Sequence, residues 1–135
     1  MRSVRGGDNL VLPYEGACAA DMTDAQRGLL SAVIEAYTGR LPGAQAAARA
    51  AQIERHYGET YFAWVGSAED GAPFYYKIHS PVVLIELDCH PGVFLANDEP
   101  EQFHVHTVVR TPNGNDYGRD LLRQHRARHH PPRSG

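Results

Sequence analysis

Two histidines separated by one residue, His104-Val105-His106, are the pair in this sequence best suited to chemistry. On an extended strand, alternate side chains share a face, so residues n and n+2 stand about 6–7 Å apart along the chain. Imidazole nitrogens from such a pair can close on one ion at about 2.0–2.1 Å. That spacing recurs by chance, and a third group is what gives it weight. His79, Asp88 and His90 precede the pair, and His125 follows it. Imidazole ligation suits copper, zinc or iron alike, so the expected cofactor is a divalent transition metal of unspecified identity. Three protein ligands would leave a position open for catalysis, whereas four would make a closed structural site.

Other side chains supply what a metal does not. Glu86, Asp88 and Asp116 are carboxylates that can orient an imidazole or move a proton, which makes them candidate catalytic groups together with Arg110. Arg110 and Tyr75 are candidate substrate-positioning residues, Arg110 through a bidentate grip on a carboxylate. A structural pairing of Arg110 with Asp116 is the plainer alternative, and Asn113-Gly-Asn-Asp116 is turn chemistry first. His56 fits the last turn of a helix, where a cation meets the helix dipole favourably. His129-His130 belongs to a basic, proline-ended segment expected to be a disordered tail over 129–135.

The elements that must hold these residues follow from the patterning. The first 21 residues, broken by Gly6-Gly7 and Pro13, predict an extended lead-in. Thr23 with Gln26 three residues on is a capping-box spacing. Leu29, Leu30, Val33, Ile34 and Tyr37 then recur on one helical face. Gly39 is expected to stop this helix in a left-handed conformation, with Pro42 beyond it. An alanine-rich second helix is expected over about 43–57, ended by Gly58. From there the period becomes alternating. Strands are predicted over 60–66, 73–79, 81–90 and 103–110, and a short closing helix from 119 to about 128.

The alternation assigns faces. Phe74, Tyr76 and Ile78 oppose Tyr75, Lys77 and His79. Val83, Ile85 and Leu87 oppose Leu84, Glu86, Asp88 and His90. Phe103, Val105, Thr107 and Val109 oppose His104, His106, Val108 and Arg110. In a meander the polar groups of all three strands converge on one side. That side also fits the wet face of a half-exposed sheet. Histidines and carboxylates, where threonine, serine, lysine or arginine would be ordinary, favour a site.

These patterns predict one α+β domain over residues 1–128, with an antiparallel sheet of about four strands packed against two N-terminal helices and a short C-terminal helix. The 135 residues suffice for one core, and a hydrophobic share of 42% fits a globular chain. A net charge of −3 gives no broad attraction to nucleic acid or an acidic membrane. No apolar run reaches the length of a membrane span, and Met1–Gly7 lacks the apolar core of a secretory signal. Cys18 and Cys89 match no paired-cysteine zinc or redox motif. A cytoplasmic protein with reduced thiols is expected.

Phe74-Tyr-Tyr-Lys-Ile-His-Ser-Pro81, Leu84-Ile-Glu-Leu-Asp88, Phe103 to Gly118 and Leu121-Leu-Arg-Gln-His125 together resemble domain-of-unknown-function family thirty-five hundred, found in bacteria and fungi. The Thr23–Pro42 helix and Tyr61-Phe-Ala-Trp64 are similar to it as well. The resemblance covers about residues 9–126 and is to the C-terminal half of longer relatives. It implies that self-association or a partner takes the place of the N-terminal region. It names no reaction. The residues carried over are His79, Glu86, Asp88, His104, His106, Arg110, Asp116 and His125.

The expected function is a metal-dependent enzyme acting on a small molecule, an oxidase or oxygenase with a redox metal and a hydrolase or lyase with zinc. A non-catalytic, metal-stabilised binding or assembly module is the alternative. No glycine-rich nucleotide loop, nucleophile elbow or HExxH helix points elsewhere.

Overall fold

A computed structural model describes residues 10–89 and 104–112, together with 125–126 and 128–129. In chain order the elements are β1 (Ala17–Cys18), α1 (Asp24–Thr38), α2 (Gly43–Arg55), β2 (Tyr61–Gly66), β3 (Phe74–His79), β4 (Leu84–Cys89) and β5 (Val105–Arg110). The sheet runs β1-β2-β3-β4-β5 with every neighbouring pair antiparallel. The α+β class and the meander stand as expected, with five strands instead of about four. The extra strand comes from the lead-in. Its two residues, too short to show alternation, pair with Phe62 and Tyr61.

Local chemistry explains most boundaries. The capping box at α1 is complete: the Gln26 amide donates to Thr23 Oγ1, and the Thr23 amide donates to Gln26 Oε1. Gly39 departs from expectation, being right-handed at φ −69°, ψ −10°. Its amide still bonds the Glu35 carbonyl, and a Cβ there would lie 2.9 Å from that oxygen. The glycine is needed for room and not for handedness, and the helix direction changes at Pro42. The second helix ends at Arg55, two residues early, and a 3-10 turn over Tyr57–Glu59 absorbs Gly58. Between β3 and β4, the Ser80 amide bonds Val83 O while Ser80 Oγ accepts from the Val82 and Val83 amides. This turn delays β4 to Leu84.

One side of the sheet meets the helices. Tyr76, Ile78 and Ile85 pack with Ala19, Leu30, Ile34 and Ile53, and Phe62, Val33 and Tyr37 fill in around them. Ile78 and Ile85 are fully buried, each contributing about 1.5–3 kcal/mol. The helices do not extend across β5, where Val105 and Val109 on the same side remain exposed. Within the described residues no helix is long and apolar enough to cross a membrane. His125, Arg126, Arg128 and His129 are helical.

The opposite side of the sheet is the surprise. Residues 10–15 cross it as an extended strap. Tyr14 lies over the rings of His79 and Tyr61, with centroids 4.4 and 5.1 Å away. Pro13 O accepts from Lys77 Nζ at 3.0 Å, Glu15 pairs with the same ammonium, and Leu10 O accepts from Arg110. On β3 and β4 the face that fits a wet surface by pattern is interior: Lys77 and Glu86 are 0% exposed and His79 4%.

Candidate functional site

Register places the polar side chains in three rows across β3, β4 and β5. Tyr75, Asp88 and His106 form the first row; Lys77, Glu86 and Val108 the second; His79, Leu84 and Arg110 the third. The expected convergence on one face is thus what the strand pairing produces. Two ends with different chemistry result.

At the first end, His104 and His106 bring their Nε2 atoms to 2.9 Å, with ring centroids 5.0 Å apart. Two ring nitrogens this close must either share one proton or direct two lone pairs at one cation. Ligand nitrogens each about 2.0–2.1 Å from one ion are about 2.9 Å apart at a right angle and about 3.4 Å apart at a tetrahedral angle. The observed separation fits the right-angle case. His106 is exposed, His104 is half-buried, and Asp88 stands directly across from His106. Tyr75 donates its hydroxyl to Glu86 Oε1 at 2.8 Å, joining this end to the central row.

At the other end are Arg110 and His79. Burial pushes the His79 imidazole below its usual range, and the Lys77 and Arg110 charges push the same way; the Pro13 carbonyl and Glu86 oppose them. Among the described residues, the buried His79 Nδ1 has no hydrogen-bond partner. The register sets His79 four residues along and two strands across from His106, about 13 Å by strand rise alone. The sheet thus groups His79 with Arg110 and apart from the His104–His106 pair. His125 packs its ring on His129 at 4.8 Å. His90 and Asp116 lie outside the described residues. Among the described residues, no three or more His, Cys, Asp or Glu side chains are gathered as a metal cluster. Cys18 and Cys89 are not joined in a disulfide.

Glu15 and Lys77 escaped sequence reasoning as site residues. Lys77 passed for an ordinary exposed strand lysine, and Glu15 sat in a segment without pattern. The available signal was the apolar run Leu10-Val11-Leu12 in a lead-in that also contains Tyr14.

Among the described residues, a five-stranded antiparallel meander with two helices on one side and a strap on the other defines an α+β domain whose polar sheet face is buried on its middle strands. The chain belongs to the family described as protein of unknown function (DUF3500), whose model matches residues 2–119. Neither a curated protein nor a solved structure matches it.

Proposed function

We propose that the protein is a cytoplasmic, metal-dependent enzyme whose ion is held by His104 and His106 and whose substrate is a small molecule bound along the polar sheet face. The observation that carries this reading is the 2.9 Å approach of the two Nε2 atoms. Asp88, which pairs in register with His106, supports this reading as the carboxylate that would orient that imidazole or complete the ligand set. His90 and His125 are the imidazoles left to add a ligand. Tyr75 and Glu86 form a hydroxyl–carboxylate pair able to relay a proton, and Arg110 holds a substrate anion. The metal, once bound, supplies Lewis-acid or redox chemistry according to its identity.

Elemental analysis of protein purified without chelator tests this. About one equivalent of copper, iron or zinc is expected in wild type and less than about a tenth of that in His104→Ala/His106→Ala. Full metal content in the double variant, or no metal uptake by wild type on reconstitution, overturns the proposal. A second reading is a metal-stabilised module acting through a partner, and the exposed Val105 and Val109 on β5 favour it. It requires metal retention without turnover, and unfolding when the metal is stripped.

A further inference from the structure

The spacing of α1 puts Leu29, Leu30, Val33, Ile34 and Tyr37 on one apolar face, and the core uses only part of it. Leu30 and Ile34 are buried, whereas Leu29 is 71% exposed. Clefts open on either side of it. One, of about 710 Å³, lies between α1 and the β1–β2 edge, against Met22, Leu30 and Phe62. Another, of about 740 Å³, lies between α1 and the far strands, against Ala32, Ala36, Tyr76 and Thr107. Leu29 and Val33 line both, and so form a ridge with a hollow on each flank. Val105 and Val109, on the same side of β5 as Thr107, extend this apolar ground and are exposed.

A surface that carries both a ridge and a hollow complements itself about a twofold axis, where residue i of one copy meets j of the other and j meets i. The charges set the direction of the two helices. Asp21 lines the first cleft and Arg40 the second, at opposite ends of α1. Neither makes an ion pair among the described residues. Both stand outside the helical turns, where Asp24 supplies the first-turn charge and the last turn has no basic residue. Two parallel copies of α1 would set Asp21 on Asp21 and Arg40 on Arg40. Two antiparallel copies bring each carboxylate to the other's guanidinium.

We infer that the protein pairs with a second copy of itself through this face. The two α1 helices run antiparallel, Leu29 of each enters the hollow beside Ala32 and Ala36 of the other, and Asp21 meets Arg40 at both ends. Such an interface is isologous and closes on itself, so the product is a dimer and not a filament. It uses the side of β5 opposite His106, goes beyond the metal reading and requires nothing of it.

Analytical ultracentrifugation of the full chain tests this. Wild type is expected to dimerise in the micromolar range. Leu29→Asp is expected to weaken the dimer by at least about tenfold, since it places a charge at the centre of the contact. Because Leu29 is exposed, the far-UV circular dichroism of that variant should remain that of wild type. Arg40→Asp and Asp21→Arg each set like charges together and should weaken association by about tenfold, less so at high salt. The double variant Asp21→Arg/Arg40→Asp restores opposite charges across the twofold and is expected to recover dimerisation. A monomeric wild type overturns the inference, as does a dimer indifferent to Leu29→Asp. A double variant that associates no better than its single parents overturns it as well.

Discussion

Lys77 and Glu86 face each other in register on the middle strands, and both are fully buried. Charges in that position are stable only when paired and hydrogen-bonded, and removing one partner strands the other. The surrounding acceptors and the Tyr75 hydroxyl are what make the arrangement tenable. His79 belongs to the same layer and is held towards its neutral form by burial. The folded state therefore binds fewer protons there than the unfolded chain. Its contribution to stability is complete above about pH 6.5 and is lost as pH falls through the lower folded value. Urea midpoints are expected to drop between about pH 7.5 and pH 5, and His79→Gln should flatten that drop. An equally steep decline in the variant would assign the effect to another group. The sequence exposed the identity of these residues and, through alternation, their common face. It did not expose their burial, because that depends on a segment more than sixty residues away in the chain.

Elements were legible where local signals agree. The capping box at Thr23 and Gln26, the helical spacing of Leu30 and Ile34, and the switch to alternation after Gly58 each locate a boundary within a few residues. What escaped was an element defined only by its partner. β1 has two residues and no period of its own; it exists because Ala17 and Cys18 pair with β2. Gly16 makes that docking feasible. Its φ of +94° disfavours any L-side chain, and a Cβ would overlap the Phe62 carbonyl. Gly16→Ala is expected to destabilise the fold by at least about 2 kcal/mol, combining backbone strain with overlap. A change in the urea midpoint within error of wild type would show that the strap and β1 can reseat. By contrast, the metal pair was visible in the sequence as a motif, while its separation from His79 was not. Only the pairing of Glu86 with Val108 and of Leu84 with Arg110 sets that distance.

At the scale of the whole molecule, the sheet is a layer whose two sides are closed by unequal means. Helices cover one side with apolar contacts, and a six-residue strap covers the other with carbonyls and a carboxylate. That asymmetry has a consequence in time. The turns joining β2 to β3 and β3 to β4 are short, so these pairings form through small loops that close quickly. β1 must instead find β2 across both helices, a loop several times longer. The strap is therefore expected to dock after the transition state for folding, when the rest of the sheet is already in register. Leu12→Ala should then speed unfolding in stopped-flow chevrons and leave the refolding rate nearly unchanged. A slowed refolding limb would place the strap in the nucleus. If docking comes last, the chain passes through a nearly native state in which Lys77 and His79 lack the strap that covers them. A nascent molecule would thus pass through a stage in which the charged layer of the sheet meets water before it meets its own cover.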